Sequence, residues 1–377
     1  MAAARAEAVA MGPVRSQAST WRSDFKRGFL NPSPLLILLA VGLGALALAG
    51  LQWFVTSGAF TMFPESHIIR QINDDWGHIS YQVGHLKQQP PRRTAVYLLG
   101  GSNMRVSIPS ERSVALALKQ RTGRDVEVHD FGSTEQNFGE TMAIIDNLPR
   151  TGGVVVISVN QTRFAYTPDV VDAEVAGSKL VMLSPALARF MADHGKPLHH
   201  PQSIVGGILT FVAGWAQDNK RELATLNLKP VHFKLHPDYT VYSRPRKEGK
   251  VRLYLRTDGR PGGAFDRYFH FNAELLAATV RLAKQRGFKV VLMEAPENRE
   301  VVGSQFDRVK QVYQPFCRAL AAKDGVRYVD FNEKVGTVNG DFRDLTHLMP
   351  WGGVKWQRGL VDVLAPLLTG KSTAASS

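Results

Sequence analysis

The chain has 377 residues, of which 44% are hydrophobic and 21% are charged, and this composition excludes a mostly disordered protein. Its single cysteine, Cys317, excludes an intrachain disulfide and a zinc or iron–sulfur site built from cysteines. The formal net charge of +13 indicates an anionic partner, which could be nucleic acid, anionic lipid or an anionic polymer.

The first element along the chain is an apolar segment. No charged residue occurs between Arg27 and Glu65, and this gap contains the apolar run Pro34–Val55. Such a run is long enough to cross a hydrocarbon core of about 30 Å as a helix, and it is too long for the apolar part of a cleavable signal peptide. A buried core helix is a weaker interpretation, because the run has no polar face. We therefore predict three segments: a basic cytoplasmic tail at 1–33, a transmembrane helix at 34–56 and a polar stalk at 57–92.

Flanking charges predict the orientation of this helix. Positive residues dominate before it, with Arg5, Arg15, Arg22, Lys26 and Arg27 against Glu7 and Asp24. Cytoplasmic flanks are enriched in Lys and Arg, so the N-terminus is predicted inside and the rest outside. An external domain without disulfides fits the bacterial envelope, so we predict a single-pass protein of the bacterial inner (cytoplasmic) membrane with a periplasmic or outer domain. That location, and the lack of a nucleic-acid-binding motif, argue against nucleic acid as the partner.

After the stalk, short apolar runs alternate with amphipathic segments. The predicted strands are 94–99, 125–129, 153–159, 288–293 and 326–329, and the predicted helices are 110–123, 139–148, 273–286, 306–323 and one from about 351. This alternation predicts an α/β domain over 93–369, a three-layer arrangement with a parallel sheet between helices. A long, mostly helical insertion is expected at about 165–265, and a disordered tail at 370–377.

Functional groups of parallel sheets collect beyond the carboxyl ends of the strands. Ser102 follows the first predicted strand on a glycine-lined turn, Gly132 follows the second and Asn160 the third. Near the C-terminus, Asp344 and His347 are three residues apart, so the carboxylate can orient the imidazole. Each alone has a simpler interpretation, as a turn residue, a satisfied strand end or a solvated loop. Neither a phosphate-binding loop nor a GxSxG nucleophile elbow matches the sequence.

Four sequence blocks, namely those around Ser102, Gly132 and Asn160 and the block from Asp344 to His347, together resemble the SGNH (GDSL-type) hydrolase superfamily. The resemblance covers about residues 94–159 and 288–368. The resemblance implies a flavodoxin-like fold without a cofactor. It also implies roles for the site residues: Ser102 as nucleophile, His347 as general base, Asp344 as its orienter, and Gly132, Asn160 and the Ser102 amide as oxyanion donors.

The chain also departs from the superfamily pattern. Gly101 and Gln161 stand where aspartates are frequent, and Ser133 to Glu135 follow Gly132 where a later glycine is expected.

Within that superfamily the C-terminal block is similar to membrane-anchored D-alanine transfer proteins. Leu348, Trp351-Gly352-Gly353 and Trp356 follow Asp344-x-x-His347, and Ala295 to Asn298 follow the fourth strand. These proteins, like the alginate and peptidoglycan O-acetylation proteins, look like partners of membrane-bound O-acyltransferases (MBOAT). The similarity therefore implies an MBOAT-type enzyme or a polysaccharide synthase complex as the partner of this chain. It also implies a polysaccharide acceptor.

The predicted function is acyl transfer through an acyl-serine, with release to water (an esterase) or to a sugar hydroxyl (a transferase) left open. The alternative is a non-catalytic envelope scaffold that binds an acidic polysaccharide or an MBOAT-type partner, which the departures around Gly101 and Gln161 motivate.

Two further features have simple interpretations. Five histidines suggest a metal site: His194, His199, His200, His232 and His236. His232 and His236 are four residues apart and could share a helix face, but Pro230 and Pro237 flank them and argue against a helix there. We therefore predict that the histidines lie on the surface or in the core and bind no metal. The densest basic run, 244–256, is interpreted as a solvated loop or as a contact surface for lipid headgroups or acidic polysaccharide.

Overall fold

The computed structural model describes residues 33–69, 71–176, 183–198, 229–235 and 240–369, with isolated positions between 213 and 224. The chain divides into two compact units, Met1–Leu51 and Gln52–Ser377. All but one residue of the predicted tail at 1–33, and the whole predicted tail at 370–377, lie outside the described residues.

Helix α1 (Pro34–Thr56) is the one helix in the described part of the chain that is long and apolar enough to cross a membrane. Its 23 residues match the predicted segment, and none of them is buried. Because the run carries no charged side chain, a helix that pairs all its interior backbone groups is the structure that suits lipid.

The larger unit is built on five parallel strands in the order β2-β1-β3-β4-β5. The strands are β1 (Thr94–Gly101), β2 (Val126–Ser133), β3 (Val154–Val159), β4 (Lys289–Glu294) and β5 (Arg327–Val329). All five predicted strands are confirmed, and the α/β class with them. The predicted ends of β1 and β2 come too early in the chain, because the polar and glycine residues at the carboxyl ends of these strands interrupt the apolar pattern.

The described helices of this unit include long ones that cover the sheet and short ones that carry loop residues. They are α2 (Asp75–Gln88), α3 (Ser102–Arg105), α4 (Glu111–Thr122), α5 (Phe138–Asn147), α6 (Pro168–Ala176), α7 (Pro185–Asp193), α8 (Arg244–Arg256), α9 (Ala264–Gln285), α10 (Arg299–Val302), α11 (Asp307–Asp324) and α12 (Pro350–Thr369). Ser110 caps α4 by accepting from the Ser113 amide, and Gly123 ends it with a positive φ of 70°.

Two apolar clusters take alternate residues of the strands. Tyr97 and Leu99 belong to one cluster and Val96 and Leu98 to the other, as the two-residue period of a strand requires. The first cluster includes residues of α2, α5, α9 and α11, and the second residues of α4 and α12. Cys317 is buried in the first, where burial raises the pKa of its thiol well above the usual value.

The segment predicted as a polar stalk contains α2, and α2 packs into the main domain. Trp76, Ile79, Val83 and Leu86 are buried in the first apolar cluster. Their spacing of three and four residues places them on one helix face. The polar residues between them hid this pattern at the level of composition.

The described parts of the predicted insertion contain α6, α7 and α8, in agreement with its expected helical content. The basic run 244–256 is helix α8, and so it is not the loop that composition suggested. Pro245 suits the first turn of a helix, and Lys247, Val251 and Tyr254 form one buried face. Within the insertion, the short apolar stretch 204–215 predicts a core helix, and this stretch lies almost entirely outside the described residues.

Candidate active site

The turn that carries Ser102 lies close to two neighbouring strands. Ser102 is the first residue of α3, directly after β1. A Cβ atom on Gly100 would lie 2.6 Å from the Ser158 side chain, and one on Gly132 would lie 2.5 Å from the Arg105 amide nitrogen. Both positions therefore require glycine for the chain to pass so closely. The Ser102 hydroxyl is held at the carboxyl end of the sheet, beside the point where the strand order reverses.

The structure brings Ser102, His347 and Asp344 into one hydrogen-bonded chain. Ser102 Oγ lies 2.8 Å from His347 Nε2, although the two residues are 245 positions apart. His347 Nδ1 lies 2.8 Å from Asp344 Oδ1. Because a carboxylate only accepts hydrogen bonds, it selects the tautomer with the proton on Nδ1, in which Nε2 accepts from the serine.

The Asp344 carboxylate is fixed from several sides. Its Oδ1 also accepts from the backbone amides of Thr346 and His347, each at 3.1 Å. Its Oδ2 accepts from Lys250 Nζ at 3.1 Å. Burial by itself would raise the pKa of Asp344, but the hydrogen bond and charge of His347, the charge of Lys250 and the backbone amides together lower it well below its usual range. Asp344 is therefore an anion at neutral pH.

The loop that carries Asp344 and His347 is tied to the end of the neighbouring strand. Asn298 lies in the segment 295–298 after β4 and donates from Nδ2 to the Asp344 carbonyl at 3.1 Å, and its amide donates to the Leu345 carbonyl at 2.8 Å. Across the loop, the Arg343 amide donates to the His347 carbonyl at 2.9 Å. These bonds fix the backbone on both sides of the acid, so the imidazole is held in place before a substrate arrives.

Gly132 was predicted to follow β2, but it lies within that strand, one residue before its end, and its amide is already engaged. The Gly132 N–H donates to Asp130 Oδ1 at 2.8 Å. Asp130 is fully buried, and burial raises the pKa of its carboxyl group well above the usual value. The predicted oxyanion role requires a free N–H at Gly132, whereas this geometry gives that group to a side chain two residues earlier. The close approach to Arg105 is a sufficient reason for the glycine.

Asn160 closes β3 with its side chain held by its own loop. Its Oδ1 accepts from Thr162 Oγ1 at 2.8 Å and from the Arg163 amide at 3.1 Å. Because the oxygen is occupied in this way, Nδ2 is the end of the amide that remains to donate. The buried Arg163 guanidinium holds this loop by donating to the carbonyls of Gln136, Asn137 and Ser158.

A small polar cavity of about 10 Å³ lies beside the His347 loop. It has room for about one water molecule. Asn160 and Thr346 line it together with Glu294, Glu297 and other polar residues after β3, β4 and β5. The predicted oxyanion donor and the histidine loop are therefore neighbours.

Two contacts at the site could not be found from the spacing of residues. Lys250 was grouped only with the other basic residues of its run, yet it contacts Asp344 across 94 positions of sequence. Arg163 gave no signal, because a buried arginine that serves backbone carbonyls has no local pattern. For Asn298 the segment after β4 was singled out by resemblance alone.

The candidate metal histidines do not form a cluster in the described part of the chain. His194 bonds to Glu274 at 2.6 Å and to the Phe190 carbonyl at 2.7 Å. His232 lies in the described segment 229–235, and His199, His200 and His236 lie outside the described residues. No group of three potential ligands that could hold a metal occurs in the regions that the structure describes.

A scan against protein-family models matches none of them to this chain, and a search of curated proteins returns no match either. The site is therefore interpreted from its own residues. A serine, a histidine and an ionised aspartate stand in hydrogen-bonded order at the carboxyl end of a parallel sheet, with an amide donor nearby.

Proposed function

We propose that the protein is a membrane-anchored acyl-transfer enzyme of the SGNH type, an acyltransferase or esterase that acts on acyl groups of cell-envelope polysaccharide or exopolysaccharide. The observation that carries this proposal is the chain of two 2.8 Å contacts from Ser102 through His347 to Asp344. It is the arrangement that nucleophilic acyl transfer requires, because the serine must lose its proton as it attacks.

The first half-reaction transfers the acyl group to the enzyme. Ser102 Oγ attacks the carbonyl carbon of an ester or thioester while its proton passes to His347 Nε2. The tetrahedral oxyanion accepts hydrogen bonds from Asn160 Nδ2 and from the Ser102 amide, which has no intrahelical partner at the first turn of α3. The bond to the leaving group then breaks, and the leaving group takes the proton from His347. The product is an acyl-serine ester.

The second half-reaction releases the acyl group. A hydroxyl group, from water or from a sugar, gives its proton to His347 and attacks the acyl carbon. The ester bond to Ser102 breaks and the serine regains the proton. Asp344 stays ionised throughout and stabilises the imidazolium. The same residues thus serve hydrolysis and transfer, and access of the acceptor decides between them.

The fold supports this assignment. The strand order β2-β1-β3-β4-β5 is that of flavodoxin-like sheets, and in such sheets ligands bind where the order reverses. The turn after β1 and the loop after β3 flank that point, and they carry Ser102 and Asn160. A three-layer SGNH-type domain explains both the order of the strands and the order of the four sequence blocks.

The membrane part of the proposal starts from α1. The positive flank before α1 supports an N-terminus in the cytoplasm, and we propose that the domain after α1 lies in the periplasm or outside a bacterial inner membrane. There the acceptors at hand are envelope or exported polysaccharides. An MBOAT-type acyltransferase or a polysaccharide synthase complex would supply the acyl group from the cytoplasmic side.

A non-catalytic envelope scaffold is the second candidate. The specific observation in its favour is the Gly132 amide, which is bonded to Asp130 and so is not free to bind an oxyanion. A scaffold would use the same domain to bind an acidic polysaccharide or the membrane partner without forming an acyl-serine.

The two candidates differ in covalent labelling of the full-length protein in detergent. A fluorophosphonate forms a P–O bond to an activated serine and releases fluoride, and we expect it to label Ser102. Ser102→Ala and His347→Ala should abolish labelling and hydrolysis of p-nitrophenyl acetate while thermal unfolding stays normal. Ser304→Ala is the matched control, since this serine is exposed and distant in sequence from the site. Failure of the folded wild-type protein to label would favour the scaffold.

A further inference from the structure

Helix α8 of the insertion is hydrogen-bonded to the loop that carries Asp344. Lys247 is buried, and its Nζ donates to the Asn339 carbonyl at 2.9 Å, to Asn339 Oδ1 at 2.7 Å and to the Phe342 carbonyl at 2.8 Å. Three bonds satisfy all three ammonium protons. The acceptors lie just before Asp344 in the chain, so α8 and the loop form one packed unit.

Lys250 lies on the same face of α8 as Lys247, because three residues make almost one helical turn. Its Nζ is 3.1 Å from Asp344 Oδ2 and 5.0 Å from the centre of the Tyr242 ring. The lysine side chain is 43% exposed, whereas that of the aspartate is only 5% exposed. The amide of Tyr242 donates in turn to the Arg343 carbonyl at 2.8 Å, which holds the ring against the loop.

We propose that Lys250 is a positioning residue of the acyl-transfer reaction. It holds Asp344 Oδ2 so that Oδ1 faces His347, and it balances the carboxylate charge that would otherwise favour the imidazolium. This inference rests on the proposed function and adds to it a role for the insertion. Without α8, Ser102, His347 and Asp344 would all be present, but the Asp344 carboxylate would lack the cation of Lys250.

The compensation of the Asp344 charge depends on the charged groups around Asp344 and His347. Lys250 and Lys247 face Asp344 from α8, Glu300 lies near Lys247 from α10, and Arg343 precedes the acid in its own loop. Among the described residues, Lys250 is the cation in direct contact with Asp344 Oδ2. Its removal leaves the negative charge of Asp344 less compensated beside His347, and a negative charge favours the imidazolium. A protonated imidazole cannot take the proton of Ser102, and reactivity is then lost on the acid side.

The test is the pH profile of fluorophosphonate labelling of Ser102 in the full-length protein in detergent. In Lys250→Met we expect the part of the profile where labelling falls at low pH, its acid limb, to move to higher pH. The shift should be only about half a pH unit, because the contact between Lys250 and Asp344 is partly exposed and so is screened by solvent. Labelling below the limb should then fall about threefold. Lys250→Arg keeps a cation on Oδ2 and should keep the wild-type profile.

Arg252→Met is the matched control, because it removes one exposed cation two residues away on the same helix. It should leave the profile unchanged. A Lys250→Met profile that superimposes on the wild type overturns the proposal. So does an equal loss of rate at every pH that Lys250→Arg fails to restore, because that pattern marks a merely structural lysine.

A second readout separates this proposal from the proposed function. The proton between His347 Nδ1 and Asp344 Oδ1 should give a low-field NMR signal in the wild type, which Lys250→Met shifts and Arg252→Met does not. If the wild type does not label at Ser102, the acyl-transfer proposal fails, and this signal alone decides whether Lys250 acts on the pair. An unchanged signal in Lys250→Met overturns that action.

Discussion

Glu294 makes the stability of the domain depend on pH in a way that one substitution removes. It ends β4, is 5% exposed, and its two carboxyl oxygens accept from Tyr313 at 2.9 Å and from Tyr328 at 2.6 Å. Burial raises the pKa of Glu294 to about 8. The site therefore favours the protonated acid, because an anion there would lose its hydration and no cation in the described part of the chain forms an ion pair with it.

The sign and size of the effect follow from linkage between proton binding and folding. The reference pKa of the group is 4.5, so the unfolded chain releases this proton at a lower pH than the folded one. The folded state therefore loses stability as the pH rises from about 4.5 to about 8. The loss is about 1 kcal/mol at pH 5 and about 4 kcal/mol at pH 8, at about 1.4 kcal/mol for each pH unit between the two pKa values.

Glu294→Gln removes the ionisation and keeps the size of the side chain. We expect its stability relative to the wild type to rise by about 3 kcal/mol between pH 5 and pH 8. For a domain of this size that corresponds to a gain in Tm of roughly 5 °C. The measurement is thermal unfolding of the full-length protein in detergent at both pH values. The substitution changes the hydrogen bonds of the two tyrosines equally at the two pH values, so that change cancels when the values at pH 5 and pH 8 are compared.

Glu333→Gln is the control, because it removes a carboxylate that is 82% exposed. Its Tm should follow the wild type at both pH values. Parallel Tm curves for the wild type and Glu294→Gln across this range would refute the assignment of the pH dependence to Glu294.

Two further substitutions test the site and its support. Asp344→Asn should lower the rate of fluorophosphonate labelling of Ser102 by about 10³- to 10⁴-fold, because an amide no longer selects the Nδ1–H tautomer of His347. A rate within tenfold of the wild type would contradict this. Asp75→Asn removes the anion that pairs with the buried Arg105 and should cost about 3 to 5 kcal/mol in chemical denaturation. A cost below about 1 kcal/mol would show that the pair contributes little.

The parts of the fold that the sequence predicted are those with a strong local pattern. Strands buried on both faces are continuous apolar runs, so β1, β3 and β4 could be located to within two residues. The capped helix α4 and the apolar α1 were equally plain. Their patterns are local because each element depends mostly on its own residues.

The site was predicted in part for a related reason. Ser102 and Asn160 follow strands whose ends could be located, and Asp344 and His347 are only three residues apart. The chemistry of such residues can be inferred before their positions in space are known. The order in which they bond could not be inferred, since Ser102 and His347 meet through the fold of the whole domain.

The contacts that the sequence did not reveal join distant segments that carry no pattern of their own. Lys250 meets Asp344 only because α8 packs on the loop, and α8 looked like a basic loop since its buried face is short. The Gly132 amide is engaged by Asp130, a residue that composition presents as an ordinary polar strand end. Both outcomes depend on which group lies nearest after folding.

Helix α2 precedes the first strand and packs into the core of the α/β domain. Its first residue, Asp75, pairs with Arg105 at the end of α3 and accepts from both the amide and the hydroxyl of Thr134, at 2.8 Å and 2.9 Å. One carboxylate thus joins the turn that carries Ser102 to the loop after β2. Upstream, the Ile72 carbonyl accepts from the Lys234 amide at 2.8 Å. A fragment cut at 93, the boundary that the strand pattern suggested, would expose the apolar face beneath α2 and leave Arg105 buried without its carboxylate. A folded soluble fragment therefore has to begin before α2.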